Sequence, residues 1–245
     1  MRQRLDLALV ERGLAPTRSQ ARDLVRRGCV RVGGVVAIKA SAGIAEDAAI
    51  EVEEGAQPYV SRGGLKLAAA LEAFGFSAGG VIALDVGAAT GGFTHVLIEA
   101  GAKRVYAVDV GSGQLHPSLA ADARVTSLES CDARALDNSM IPDLVGAIVA
   151  DVSFISLTQA LPAAMGLAAP GAWLAALVKP QFEVGRDHIG KGGIVRDEAA
   201  RERAVAKVRD WIDAQPGWTV TGIIASPIAG GAGNQEFLIG ARREP

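Results

Sequence analysis

Asp85 stands immediately before the run Gly87-Ala-Ala-Thr-Gly-Gly, and Asp109 falls near the tip of the next apolar segment. A glycine-rich turn between a strand and a helix lets a ligand approach backbone N–H groups closely. An acid at the tip of the following strand is placed to accept both hydroxyls of a ribose. The turn lacks the G-x-G-x-x-G spacing of a dinucleotide site. Asp85 would repel a pyrophosphate and attract the ammonium of a methionine moiety. The pattern therefore favours S-adenosylmethionine over NAD. The expected cofactor residues are Asp85, Gly87, Ala88, Thr90, Gly91, Gly92, Phe93 and Asp109, with Asp132 placed to meet an adenine amino group.

Four further ionisable residues, Lys66, Asp151, Lys179 and Glu236, fall at strand tips or on the helix that precedes them. With a methyl donor beside them, such a set suits removal of a proton from a ribose 2′-hydroxyl, followed by in-line methyl transfer. Lysine can act as the base only if its pKa falls well below its unperturbed value of ~10.4. A second lysine, a sulfonium cation and partial desolvation would each push it down. A carboxylate has the opposite tendency, so Asp151 is expected to orient Lys179 and the methyl donor. Each residue also has a plainer alternative. Lys66 could be an exposed helix residue, Asp151 a helix cap, Lys179-Pro180 a strand end, and Glu236 a solvent-facing strand residue.

Other chemistries fit less well. An amino-group methylase would want an Asn/Asp-Pro-Pro-aromatic run, where this sequence has Asp151-Val-Ser-Phe. A cytosine C5 methylase needs an activated cysteine, and Cys131 has no neighbouring cation to generate thiolate. Gly185-Arg-Asp-His-Ile-Gly-Lys-Gly nearly spells a phosphate-binding loop, but Gly192 replaces the Mg²⁺-binding hydroxyl. His95, His116 and His188 show no metal-ligand spacing.

The elements that must position these groups alternate, as in an α/β sheet. Strands are expected at Val81–Val86, Arg104–Val110, Val125–Leu128, Ala147–Val152 and Ala172–Val178, with helices at Phe93–Ala100 and Asp197–Ala214. The second helix would turn Val205, Val208 and Ile212 inward. Trp218–Ile224 and Glu236–Ala241 read as a closing pair. That count suits a Rossmann-like seven-stranded methyltransferase sheet whose last strand is antiparallel. The Gly- and charge-rich segment 181–196 is expected to act as a mobile substrate lid, and Phe154 reads as core or as part of the site wall.

The first sixty residues differ. Leu5, Ala8 and Leu9 recur at helical spacing, with Gly13 as the C-terminal stop. Thr17 and Gln20 fit a capping box before a second helix that buries Ala21, Leu24 and Val25. Arg18, Arg22 and Arg26 fan across about 80° of its opposite face, a spacing suited to successive phosphates. Gly28 ends this helix. Val30 and Val32 form a strand before a Gly33–Gly34 turn, and Ile50 and Val52 close the module.

The net charge of −2 argues against a nucleic-acid partner, but its distribution does not. Residues 1–40 hold nine Lys/Arg against three acids, whereas residues 41–57 hold five acids and no base. The two cysteines, Cys29 and Cys131, lie in unrelated segments and suit a reducing cytoplasm. No apolar run approaches the roughly 20 residues of a membrane span, and no signal peptide is evident. No membrane partner is expected.

Arg4-Leu-Asp-Leu-Ala-Leu-Val, Thr17-Arg-Ser-Gln-Ala-Arg and Gly28-Cys-Val-Arg-Val-Gly-Gly resemble the S4-like (alpha-L) RNA-binding fold over about residues 3–55. Gly33 replaces the family's usual Asn, and either residue tolerates the turn. Six further motifs resemble, in order, the TlyA or haemolysin A family, which joins such a module to an FtsJ-type methyltransferase domain. They are Ser61-Arg-Gly-Gly-Leu-Lys-Leu, Asp85-Val-Gly-Ala-Ala-Thr-Gly-Gly-Phe-Thr, Asp151-Val-Ser-Phe-Ile-Ser-Leu, Leu177-Val-Lys-Pro-Gln-Phe-Glu, Gly190-Lys-Gly-Gly-Ile-Val-Arg-Asp and Gly233-Asn-Gln-Glu-Phe. The resemblance implies 2′-O-methylation of cytidine in ribosomal RNA (23S and/or 16S), with Lys66, Asp151, Lys179 and Glu236 as the catalytic tetrad. It also implies ribosomal RNA or subunits as partners, and RNA contacts from Arg4, Arg18, Arg22, Arg26 and Arg62. Domains are expected at 1–57 and 58–245, with 58–62 as linker. Ala89 stands where many relatives have Ser, which would remove one hydroxyl contact to the donor. A membrane-active haemolysin and a non-catalytic ribosome-assembly factor are the alternatives, and the lack of a spanning or strongly basic amphipathic segment disfavours the first.

Overall fold

The computed structural model describes residues 2–26, 28–53, 59–230 and 233–245. The chain divides into two compact units, Met1–Arg62 and Gly63–Pro245. The expected boundary at 57/58 lies outside the described residues.

In the first unit, strand β1 (Arg2–Arg4) pairs antiparallel with β4 (Gly43–Ala45), and β2 (Val30–Val32) lies between β3 (Val35–Val36) and β5 (Ile50–Val52). Helices Leu5–Glu11 and Arg18–Arg26 bury Leu5, Ala8, Leu9, Ala21, Leu24 and Val25 in one small core, as their helical spacing requires. Gly33 and Gly34 both take positive φ, 56° and 78°, the pair of values that a tight β2–β3 hairpin demands. The β1–β4 pair has no sequence signal, because Arg2–Arg4 is polar and does not alternate. The capping box forms only in part. Thr17 Oγ1 accepts the Gln20 N–H at 3.3 Å. The Gln20 side chain instead accepts the Thr17 hydroxyl and donates to the Val60 carbonyl.

The second unit is built on a seven-stranded sheet in the order β11-β12-β10-β9-β6-β7-β8. Its strands are β6 (Ile82–Val86), β7 (Arg104–Val108), β8 (Val125–Leu128), β9 (Val145–Ala150), β10 (Ala168–Val178), β11 (Trp218–Ala225) and β12 (Phe237–Arg243). Only β12 runs antiparallel to its neighbours, as expected for the last strand. Strand order reverses between β6 and β9, which places a topological switch point, and hence a crevice, at their carboxyl ends. β6, β7, β9 and β10 are rich in fully buried Leu, Ile, Val and Ala, because a central parallel sheet is covered on both faces.

Several boundaries depart from the sequence reading. β7 stops at Val108 and β9 at Ala150, so Asp109 and Asp151 stand just past their strands. β10 begins at Ala168, four residues early, and its ladder with β9 is irregular between Ala168 and Trp173. Pro170 and Gly171 signal a turn there, yet the strand absorbs them as an irregularity. Helix Glu198–Asp213 is capped by Asp197, whose carboxylate accepts the Ala199 N–H at 3.0 Å. Val208 and Ile212 are buried in its face, with Val205 only half-buried.

Helix Gly63–Phe74, which carries Lys66, packs on helix Gly92–Glu99 and on β11 and β12. The cross-strand glycines Gly222 and Gly240 make room for Phe74. A Cβ would stand 3.1 Å from that ring at Gly222 and 2.6 Å at Gly240. This saddle fixes the helix against the antiparallel edge of the sheet.

Candidate active site

The turn after β6 is bound to both neighbouring strands. The N–H groups of Gly87 and Ala88 donate to the Val108 carbonyl at 2.9 and 3.0 Å, and the Asp151 N–H donates to Val86 at 3.0 Å. Gly87 has φ 87°, and a Cβ there would lie 2.8 Å from the Asp151 carbonyl oxygen. Only glycine meets both conditions. Asp109 is gripped from two sides, accepting the Ala89 N–H at 2.8 Å and the Gly111 N–H at 2.7 Å. Each carboxylate oxygen retains a second lone pair for a ligand hydroxyl. Glu129 accepts three N–H groups, from Gly113, Gln114 and Leu115, and so secures the loop beyond Asp109. These bonds hold its carboxyl below the usual carboxylate range.

A cavity of about 590 Å³ opens over this edge, with Gly87, Asp109, Asp132, Asp151 and Phe154 on its wall. That size and mixture of apolar wall with a few polar groups suits a nucleoside-type ligand. Ala88, Gly92 and Phe93 are buried in the turn and the first helical turn, Thr90 is exposed, and Gly91 caps the helix with φ 89°. Asp85 is fully buried and is not on the cavity wall. One of its oxygens accepts the Thr94 hydroxyl at 2.6 Å, and the other has no hydrogen-bond partner among the described residues. Burial pushes this carboxyl up to about 7, and the charges of Asp151 and Asp109 add to the shift. Asp132 reaches the cavity, but both its oxygens engage Arg134 through Nε and Nη2. The Arg134 guanidinium holds that carboxyl down at about 2. Asp132, expected to meet an adenine amino group, thus stands on the cavity wall already paired with an arginine two residues away.

The four ionisable residues form two ion pairs. Lys66 Nζ donates to Glu236 Oε2 at 2.6 Å, and both side chains are buried. Lys179 Nζ lies 2.7 Å from Asp151 Oδ1, off the direction of a regular hydrogen bond, and donates to Ser153 Oγ at 2.8 Å. The β10–β12 ladder ends with Val178 opposite Phe237. Lys179 and Glu236 are therefore the next residues in register, and the two pairs come to the same end of adjacent strands. Each lysine has its own carboxylate.

Two residues, Glu183 and Asn234, escaped the sequence reading of roles, and Phe154, expected as core or as site wall, stands on the wall. Phe154 takes φ 66°, is 91% exposed and has its ring 5.1 Å from Phe182. A bulky residue in that region is strained, and strain of this kind gathers at functional sites. Buried Glu183 accepts the Ser156 hydroxyl, the Leu157 N–H and the Lys207 ammonium. Buried Asn234 accepts the Val195 N–H and donates to the Gly193 carbonyl. Together they tie segment 181–196, expected as a lid, to the body at two points. A single buried polar residue in a one-turn helix or a loop has no local periodicity to reveal it.

In the first unit the arginine stripe divides between two buried acids. Asp6 accepts Arg4 through Nε and Nη2, each at 3.0 Å, Arg18 Nε at 2.9 Å and Arg22 Nε at 3.0 Å. Asp23 lies 3.6 Å from Arg26 and 3.4 Å from Arg62.

Residues 59–243 match the FtsJ-like methyltransferase family and residues 3–46 the S4 domain. The 16S/23S rRNA (cytidine-2′-O)-methyltransferase TlyA of Mycobacterium tuberculosis is 45% identical over 99% of this chain and 91% of its own. Hemolysin A of Brachyspira hyodysenteriae is 40% identical over 96% and 98% of the two chains. Among solved structures, a hemolysin candidate from Streptococcus thermophilus superposes with a TM-score of 0.75 at 40% identity, covering 99% of this chain and 89% of that one. The O-methyltransferase from Bacillus cereus, solved with SAH, shares the fold alone, with a TM-score of 0.52 at 16% identity over 75% and 82%. The chain belongs to the TlyA family of FtsJ-like methyltransferases, with an S4 domain at its N-terminus.

Proposed function

We propose that this protein transfers the methyl group of S-adenosylmethionine to the ribose 2′-hydroxyl of a cytidine in ribosomal RNA. The observation that carries this reading is the meeting of two Lys–carboxylate pairs at the strand ends, on the same sheet edge as the glycine turn and Asp109. The TlyA relative named for this reaction supports the choice of cytidine and ribosomal RNA.

S-adenosylmethionine supplies an electrophilic methyl on a cationic sulfonium. Asp109 would accept the donor's ribose hydroxyls, and Gly87 leaves the turn backbone open to it. Asp151 lines the cavity and holds Lys179, so the ammonium of Lys179 has a fixed position beside the reacting groups. With the donor's sulfonium cation displacing a proton from that ammonium, the neutral Lys179 amine would take the proton of the 2′-hydroxyl as the oxygen attacks in line. The Lys66–Glu236 pair anchors helix Gly63–Phe74 at the same edge and would position the ribose. Phe154 offers an exposed aromatic face on the cavity wall, on which an unstacked base can lie.

The test is incubation of the purified protein with methyl-labelled donor and, separately, small and large ribosomal subunits lacking the modification. Label on a cytidine ribose is expected. Donor binding without label in either RNA overturns the substrate assignment.

A further inference from the structure

Three arginines from different parts of the first unit converge on a single carboxylate. Arg4 closes β1, whereas Arg18 and Arg22 lie one turn apart on helix Arg18–Arg26. Asp6 is 0% exposed, and its side chain is bonded to these three guanidiniums. One arginine suffices to neutralise one buried carboxylate. The excess leaves a cluster of net charge +2, in which three mutually repelling cations stay together only because an anion lies among them.

The exposure is divided accordingly. The side chains of Arg4, Arg18 and Arg22 are 42%, 46% and 48% exposed, whereas that of Asp6 is 0%. Arg18 and Arg22 each commit only Nε to Asp6. Their two amino groups have no partner among the described residues, and paired amino groups of this kind suit the oxygens of a phosphate. The short separation fits adjacent phosphates better than an outward fan of independent side chains does. The Arg4 and Asp6 charges hold each other in their ionised forms, since the Arg4 guanidinium keeps the Asp6 carboxyl far below the usual carboxylate range.

We propose that Asp6 is a positioning residue for RNA: it gathers Arg4, Arg18 and Arg22 into one preorganised cluster that grips backbone phosphates. This rests on the reading of the S4 domain as the RNA-binding unit. Asp6 touches no RNA and acts through the three arginines. The sign of its effect is diagnostic, because deleting a negative charge should tighten RNA binding if charge alone mattered.

The test uses the full chain and a fluorescein-labelled RNA stem–loop, with anisotropy titrations over a range of salt. Asp6→Asn is expected to weaken binding about 10-fold, against its gain in positive charge, and to flatten the salt dependence as phosphate contacts are lost. Arg18→Lys with Arg22→Lys retains every charge but not the fork, and is expected to weaken binding about 10-fold as well. In an Arg18→Ala, Arg22→Ala background, Asp6→Asn should have little further effect. Unchanged or tighter binding by Asp6→Asn, with weaker binding by the double Ala variant, overturns the role of Asp6 and leaves the RNA-binding reading standing. Full affinity in the double Ala variant overturns that reading itself. Should Asp6→Asn fail to fold, the double Lys variant decides, and wild-type affinity there refutes the proposal.

Discussion

Lys66 and Glu236 are separated by 170 positions, yet Nζ of one lies 2.6 Å from Oε2 of the other, with both side chains buried. A buried ion pair gives little net stability, but loss of one partner strands a charge away from water. Lys66→Met or Glu236→Leu alone should cost about 3–5 kcal/mol of stability. The double substitution should recover most of that loss, because no unpaired charge remains. Thermal unfolding of the three variants checks this, and equal losses in the single and double variants would show that the pair is not coupled. Methyl transfer should be absent in all three.

Lys179 has two anchors, Asp151 and Ser153, of unequal strength. Lys179→Ala should lower the transfer rate by about 10²–10⁴, the range for loss of a general base. Donor affinity, measured by calorimetry, should stay nearly unchanged. Ser153→Ala removes only a neutral hydrogen-bond acceptor and should cost about 10-fold or less in rate. A collapse of donor binding in Lys179→Ala would make that lysine a cofactor ligand rather than the proton acceptor.

Gly87→Ala meets two obstacles at once, a φ of 87° and a Cβ 2.8 Å from the Asp151 carbonyl oxygen. The backbone would have to shift at the β6–β9 switch point, where the turn and Asp151 both line the cavity. The expected result is a loss of about 1–3 kcal/mol in stability from backbone strain, together with donor binding weakened by at least about 10-fold. A variant that binds donor like the parent would show that the turn backbone does not need this close approach.

The glycine turn and strands were legible because each is a short apolar run punctuated by Gly or by a charged residue at its end. That Lys66, Asp151, Lys179 and Glu236 belong together was legible only through the resemblance of the motifs that carry them, since Lys66 or Glu236 alone is an ordinary surface residue type, and the structure pairs them two by two. What could not be read was decided by distant partners. Asp6 looks like any acid near a helix start, and nothing beside it announces that Arg18 and Arg22 will fold onto it. Phe154 reads either as core or as site wall, and what decides for the wall is a left-handed backbone that leaves the ring exposed, which no local pattern announces. Asp132 fits the cavity edge in sequence, but no pattern beside it announces that Arg134, two residues on, folds back onto it.

Asp85 sets the sign of one pH dependence. Burial raises this carboxyl from 3.8 to about 7 in the folded protein, with Asp151 and Asp109 contributing. Between these values the folded chain holds a proton that the unfolded chain has released. Stability from this group is therefore full below about 4 and is lost as pH rises through about 7. Asp85→Asn removes the titration and retains a side-chain oxygen to accept the Thr94 hydroxyl. Its new amide N–H₂ lacks a partner, a cost that does not vary with pH. The melting temperature of Asp85→Asn relative to the parent should thus climb between pH 4 and pH 8. The pH-linked part could reach about 4 kcal/mol. Scanning calorimetry of both proteins across that range is the measurement. Parallel curves would mean that Asp85 is ionised throughout, its buried oxygen stabilised by a neighbour rather than by a proton.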